Sequence, residues 1–256
     1  MNNSNVPVKS RGAVVFANNT PTVDYEKIAE QAARLIKHTL ALPVTIIRNT
    51  SLHENYRTGY AHGTVWNNLD RCQAYGSSPY DETLLLDSDY IVLDDSLLKI
   101  LDTVDDYKII TSNQSPKQSM DGNMGLLSLN YVWATAVAFK KTAKTNMLFD
   151  LVGRVQRNYN YYRKLYNIRE RNFRNDYAFA IADNIINGYT PSHGIPWTML
   201  TIDKPIKKLE IKDNIITVRE EESAHVIPKQ SIHVMDKDYL QSDDYIKFVD
   251  AICQTN

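Results

Sequence analysis

Asp87 and Asp89 stand one residue apart in Leu84-Leu85-Leu86-Asp87-Ser88-Asp89-Tyr90-Ile91-Val92-Leu93. Two hard carboxylate ligands at that spacing suit Mg²⁺ or Mn²⁺ shared with a phosphate-bearing substrate. The three leucines form a short continuous apolar run, the pattern of a strand buried on both faces of a parallel sheet. Open α/β sheets bind ligands at the carboxyl ends of their strands, and this strand delivers its two acids there. Asp-x-Asp by itself also reads as a polar turn after a strand. The apolar Ile91-Val92-Leu93 that follows weighs against that plain reading. An EF-hand loop is not supported, because the sixth position lacks Gly and the twelfth lacks Glu.

The elements that position these acids follow from the order of apolar runs. Gly12-Ala13-Val14-Val15-Phe16-Ala17 reads as a first buried strand. It leads into Asn18-Asn19-Thr20-Pro21, a turn rich in side-chain hydrogen-bonding groups. Its place after the first strand makes Ala17, Asn18 and Asn19 candidate nucleotide contacts, although such a turn is often only a loop. Thr22 or Asp24 caps a helix through about Leu42, with Ile28, Ala32, Leu35, Ile36 and Thr39 on one face. Pro43 ends it, and Val44 to Ile47 forms a second strand, giving a βαβ opening with a right-handed crossover. Neither Gly-x-Gly-x-x-Gly nor a Walker-type loop occurs, so bound phosphates need metal and side chains. A helix is expected from Thr64 to Tyr75, with Arg71 on a face that looks toward the acids. That arginine either neutralises a diphosphate or pairs with Asp70 or Asp87.

Farther on, Ser96 to Val104 reads as a helix, Tyr107 to Thr111 as a strand and residues 112–125 as a long functional loop. Trp133 to Phe139 is a strand, Thr142 to Tyr166 a long helix running on toward Arg174, and Asn175 to Asn187 another helix stopped by Gly188. Short strands are expected at Pro196–Ile202, Ile206–Ile211, Ile215–Arg219 and Ser231–Val234. Asp213-Asn214 forms a hairpin turn, and a closing helix covers Asp238–Ile252. The expected architecture is α/β, a mainly parallel central sheet flanked by helices with a β-rich C-terminal portion. Residues 1–11 form a disordered lead and residues 12–256 a single domain.

Bulk properties narrow the function less. The 256 residues are 43% hydrophobic and 23% charged with a net charge of −1, so any basic surface is local. Cys72 and Cys253 lack metal spacing, which fits a reduced intracellular protein. No apolar run approaches a membrane span and Met1 to Arg11 lacks a signal core, so a cytoplasmic protein without a membrane partner is expected. Oligomeric state is not legible.

The chain resembles the GT-A glycosyltransferases, which transfer a sugar from a nucleotide-sugar donor. The resemblance runs over about residues 12–240. It rests on the βαβ opening without phosphate-loop glycines, on Leu86-Asp87-Ser88-Asp89, on Asn175-Asp176 opening a helix, and on the late histidine of Ile232-His233-Val234. It implies a GT-A fold, a Mn²⁺ or Mg²⁺ cofactor and a nucleotide-sugar donor, UDP-linked by family analogy. It also implies a metal set of Asp87, Asp89 and His233. Asp89 would be the direct ligand, Asp87 would reach ribose or metal-bound water, and His225 would be the substitute histidine. Asp176 becomes the candidate catalytic base, with a helix-start acid as its plain alternative. Ser88 joins the donor site, and Arg57, Arg71 and Lys237 become candidate diphosphate contacts.

Trp66 to Arg71, Ser78 to Asp89 and Arg174-Asn175-Asp176-Tyr177 resemble glycosyltransferases of tailed phages, some of which decorate hydroxymethylated cytosine in DNA. The location would then be the host cytoplasm. A basic tract supports that acceptor. Arg154, Arg157, Arg163, Lys164, Arg171 and Arg174 interleave with Tyr159, Tyr161, Tyr162, Tyr166 and Phe173, the composition of a double-stranded DNA contact. A solvated helix face with core-packed tyrosines is the alternative. Three other readings remain. The acceptor is a glycan, lipid or protein; the chain is a phosphohydrolase, though Ile91 stands where that motif wants Thr or Val; or it is a non-catalytic nucleic-acid-binding protein.

Overall fold

The computed structural model describes residues 10–48, 69–111, 123–124, 129–130, 132–168, 171, 173–190, 194–195 and 199–254. In chain order the first elements are β1 (Arg11–Ala17), α1 (Tyr25–Leu40), β2 (Val44–Arg48), a 3-10 turn (Leu69–Gln73), α2 (Ala74–Ser77), β3 (Glu82–Leu86), β4 (Tyr90–Ile91), α3 (Ser96–Thr103) and β5 (Tyr107–Thr111). There follow β6 (Asn123–Met124), β7 (Leu129–Asn130), β8 (Val132–Lys140), α4 (Ala143–Arg157), α5 (Tyr159–Leu165) and α6 (Asn175–Ile186). The last stretch holds β9 (Leu200–Ile202), β10 (Lys208–Lys212), β11 (Ile215–Arg219), β12 (Ala224–Pro228), β13 (Ile232–Val234), α7 (Lys237–Gln241) and α8 (Asp243–Gln254).

The fold is α/β. Its main sheet has the order β2-β1-β3-β8-β5. β1 pairs in parallel with β2 and β3, while β8 runs antiparallel to both β3 and β5. Four strands therefore point one way and β8 is inserted against them. The sheet is mainly parallel, as expected, with β8 as its antiparallel member. An apolar run encodes burial, not strand direction, so this reversal has no sequence signal.

Side-chain alternation divides the core across the sheet. Val14, Phe16 and Leu85 face one side, where Leu148, Phe149 and Val152 of α4 and Phe179 of α6 cover them. Ala13, Val15, Leu84 and Leu86 face the other, against Ala29 and Ile36 of α1 and Leu97 and Leu101 of α3. The opposite flank of α1, with Ile28 and Leu35, joins a third core with β13, the β10–β11 hairpin, α7 and α8. Thus α1 is buried on two sides, and the C-terminal portion is anchored to it.

Local chemistry sets the element ends. Asp24 caps α1 by accepting from Lys27 N–H at 3.0 Å, and Ala41 closes it at φ 52°. The long helix expected over Thr142–Tyr166 is two helices, broken at Asn158, whose amide donates to Arg154 O at 3.0 Å. The closing helix is likewise two. Ser242 is extended, and its hydroxyl accepts from Tyr245 N–H at 3.2 Å, starting a new helix as an N-cap does. The expected Thr64–Tyr75 helix is a 3-10 turn over Leu69–Gln73 followed by α2, and residues 64–68 lie outside the described ones. β1 starts at Arg11, one residue before the expected strand, and Ser10 bonds Asp81. Asp213 and Asn214 turn the β10–β11 hairpin at φ 50° and 61°, a turn that favours such residues. Most of the 112–125 loop lies outside the described residues. Among the described residues, no helix is long and apolar enough to cross a membrane.

A Cβ on Gly12 would lie only 2.3 Å from the nearest ring carbon of Tyr80, whose hydroxyl is held by Thr45 Oγ1 at 2.9 Å. Gly12→Ala is therefore expected to cost about 1–3 kcal/mol by overpacking in urea unfolding. The penalty should shrink in a Tyr80→Leu background.

Candidate functional site

β3 ends at Leu86, and the chain turns at once. Asp87 N–H donates to Thr135 O at 2.9 Å and Tyr90 N–H to Asp87 O at 3.2 Å, so Ser88 and Asp89 occupy the corner of a tight turn into β4. β4 then pairs with β13, placing His233 opposite Tyr90. Val234 N–H donates to Asp89 O at 3.0 Å. Backbone pairing, not chance proximity, brings a histidine from residue 233 to the acids of residues 87 and 89.

One ligand atom from each of Asp87, Asp89 and His233 lies within 4.8 Å of the others. Asp89 Oδ2 takes Lys237 Nζ at 2.5 Å and faces His233 Nε2 at 3.4 Å. Its other oxygen, Oδ1, is buried without a hydrogen-bond partner among the described residues. His233 Nδ1 sits 3.5 Å from Thr201 Oγ1 on β9. The tautomer protonated on Nδ1 leaves the Nε2 lone pair directed at the acids. Two carboxylates, one of them with a partnerless oxygen among the described residues, and an imidazole fit a divalent cation. The mixed oxygen–nitrogen set suits Mn²⁺ better than Mg²⁺. His225 is elsewhere, exposed on β12 and 3.5 Å from Glu220.

The two carboxylates are driven apart electrostatically. Burial pushes Asp87 up, Asp89 adds to the shift, and the Arg71 charge only partly opposes it, so its carboxyl titrates at about 6. Burial also pushes Asp89 upward, but His233 and Lys237 outweigh it and hold its carboxyl well below the usual range. His233 is raised because the charge and hydrogen bond of Asp89 exceed the burial that pulls it down.

Arg71 is 1% exposed and pairs with Asp87 and with Ala134 O. Of the two roles open to it from sequence, pairing with Asp87 is the one observed. Its Nε is buried with no hydrogen-bond partner among the described residues. Removing one member of such a buried pair typically costs about 3–5 kcal/mol. Ala134 serves a second partner, since its N–H donates to Asp176 Oδ1 at 2.8 Å. Asp176 Oδ2 accepts from Arg174 at 3.0 Å. Both backbone groups of Ala134 sit where the β5–β8 register jumps, Ile109 facing Val137 and Ile110 facing Trp133. Such an irregularity takes backbone groups out of the ladder and re-aims them, here toward the two side chains. Asp176 is close enough to Asp87 to raise its pKa.

The other expected contacts are scattered around this centre. β1 and β3 are parallel neighbours, with Val15 level with Leu86, so Ala17, Asn18 and Asn19 leave the sheet at the same edge as Asp87. Asn19 Oδ1 accepts from Glu26 N–H at 2.9 Å and so helps to start α1. Ser88 is buried in the turn. Lys237 is at the centre, on Asp89. Arg57 lies outside the described residues. Arg174 belongs with Asp176, whereas Arg154, Arg157, Lys164 and Arg171 are exposed and Arg163 is half-buried beside Asn160. Tyr159, Tyr166 and Phe173 are core residues, which corrects their placement as base-stacking rings; Tyr161 is 63% exposed. Sequence reasoning missed Tyr25, the first residue of α1, whose phenol is pushed up to about 12 by burial and then by the charges of Asp89 and Asp87. Its one signal was its position at the junction between the first strand and first helix.

No family model and no curated protein matches the chain. Among solved structures, it overlaps a protein titled WbbM bifunctional glycosyltransferase over 58% of its length, at TM-score 0.36 and 15% identity. The overlap with the glycosyltransferase GlyE of Streptococcus pneumoniae TIGR4 covers 69% of the chain, at TM-score 0.37 and 15% identity. A glycosyltransferase involved in glycosylation of the major capsid of PBCV-1 overlaps 57% of the chain, at TM-score 0.35 and 12% identity. The matched regions span 35%, 43% and 66% of those chains, respectively. Overlaps this loose establish neither a shared family nor an activity.

The Asp87 shift has a measurable consequence. A carboxyl raised from 3.8 to about 6 on folding contributes stability that is fully present below its unfolded pKa and lost as pH rises through about 6. In chelator-treated protein, melting temperature followed from pH 4 to 7 should lose this component in Asp87→Asn. The variant's profile should fall less steeply over that window than the wild type's.

Proposed function

We propose that the chain is a GT-A-type glycosyltransferase. It uses Mn²⁺ or Mg²⁺ to bind a nucleotide-diphosphate sugar, UDP-linked by family analogy, and passes the sugar to a hydroxyl acceptor. The observation that carries this reading is the convergence of Asp87, Asp89 and His233 within 4.8 Å at the carboxyl end of the central strand. Open α/β sheets hold their ligands at that edge. A divalent cation on these three side chains would neutralise the donor phosphates and the charge growing on the leaving diphosphate.

The chain's own residues supply the rest. Ala17, Asn18 and Asn19 leave the sheet beside the acids and line the nucleotide side, with Ser88 in the turn between. Asp176, fixed by Ala134 N–H and Arg174, faces the acceptor. In the transfer, the bond from the sugar's anomeric carbon to the diphosphate oxygen breaks. The acceptor oxygen bonds that carbon, and the nucleoside diphosphate leaves with the bonding pair. For an inverting reaction, Asp176 receives the hydroxyl proton.

Thermal shift tests the donor site. At a ligand concentration near one hundred times Kd, one nucleoside diphosphate with Mn²⁺ should raise the melting temperature by about 5–10 °C. Asp89→Asn should abolish that rise. If no nucleotide shifts folded wild-type protein with metal present, the donor reading is wrong.

For the acceptor, the exposed cations Arg154, Arg157, Lys164 and Arg171 favour double-stranded DNA bearing a hydroxylated base. Cations that neutralise phosphates release counterions. Duplex affinity should therefore fall steeply as salt rises and weaken in Arg154→Gln/Arg157→Gln. Salt-insensitive or absent binding would return the acceptor to a glycan, lipid or protein.

A further inference from the structure

We propose that Lys237 is the built-in cation of the divalent site: its ammonium neutralises Asp89 in the metal-free protein, and a metal ion enters by displacing it. The inference rests on reading Asp87, Asp89 and His233 as a metal site and concerns how that site is loaded. Lys237 Nζ lies 2.5 Å from Asp89 Oδ2, and His233 Nε2 lies 3.4 Å from the same oxygen. The Asp89 oxygen that faces the imidazole is therefore already held by a positive charge, while Oδ1 has no hydrogen-bond partner among the described residues; a cation shared by His233 and the carboxylate through Oδ2 would take the ammonium's place.

The surroundings permit an exchange without unfolding. Nζ also donates to Val234 O and Met235 O, each at 3.2 Å, so the ammonium keeps two acceptors after leaving Asp89. The backbone under it is fixed. Asp236 Oδ1 caps α7 on Tyr239 N–H at 3.0 Å, and its Oδ2 takes Ile206 N–H at 2.7 Å. Only the side chain needs to move. Charge balance gives the exchange its consequence. With Arg71 on Asp87 and Lys237 on Asp89, each carboxylate has one fixed cation before any metal arrives. A divalent ion added to that set leaves an excess of positive charge, which an anionic donor relieves. Lys237 thus makes metal binding weak in the absence of a diphosphate.

The test is Mn²⁺ affinity, measured at pH 7.5 without nucleotide by the electron paramagnetic resonance of free Mn²⁺. Wild type is compared with Lys237→Met and Lys237→Gln, and circular dichroism confirms their folding. Removing one unit charge a few ångströms from a divalent ion should tighten binding roughly tenfold or more in both variants. Equal or weaker Mn²⁺ affinity in the folded variants overturns the proposal. If wild type then still binds Mn²⁺ and Asp89→Asn does not, the metal site stands and only the exchange is wrong. Absence of Mn²⁺ binding to every form overturns the exchange and the metal site together.

Discussion

Two carboxylates at the end of a fully buried strand cannot stand alone. Taking a carboxylate out of water is costly unless a partner charge accompanies it, and here two lie within one turn. Much of the surrounding structure brings compensation from distant sequence. Arg71 comes from the 3-10 turn before β3 and lodges against Asp87, while Lys237 and His233 come from the far end of the chain and lodge against Asp89. The small sheet β4-β13-β9 exists at the place where that second delivery is needed. Its register with Tyr90 fixes the histidine to within a hydrogen bond's length of its partner.

The same constraint explains why the site is asymmetric. Asp89 has Lys237 and His233 beside it and stays ionised, whereas Asp87 is pushed up to about 6 despite its arginine. Ala134 ties the second carboxylate system to the first, because one residue of β8 accepts from Arg71 and donates to Asp176. A local irregularity in the β5–β8 ladder therefore couples Asp176 to the Arg71–Asp87 pair. Within the proposed enzyme, this coupling sets the distance between the reacting halves.

The centre was legible in the sequence because burial and chemistry coincide there. Leu84–Leu86 announced a buried strand, and Asp87 and Asp89 followed it without a break. His233 and Asp176 were accessible only through family resemblance, since nothing local marks a histidine on a short strand or an acid at a helix start. What was not legible depends on tertiary context. The reversed β8 reads like any apolar strand. The break at Asn158 leaves the helical periodicity intact on both sides. The pairing of Arg71 with Asp87 was one of the roles open from sequence, but its second partner, Ala134 O, is distant in sequence and left no signal. Tyr159, Tyr166 and Phe173 looked like stacking rings because basic neighbours surround them, yet their rings close the core beside α6. β12 and β4 were missed because β4 is two residues long and β12 is an exposed strand that ends in a proline.

The central claim is that Asp87, Asp89 and His233 hold a divalent cation for a diphosphate. The most direct measurement is anomalous diffraction from crystals grown with Mn²⁺ and a nucleoside diphosphate. The account predicts one strong manganese peak at about 2.0–2.3 Å from an oxygen of Asp89 and from His233 Nε2, with diphosphate oxygens completing its shell. A diphosphate bound at these residues with no manganese peak, or manganese bound only elsewhere on the molecule, would contradict it.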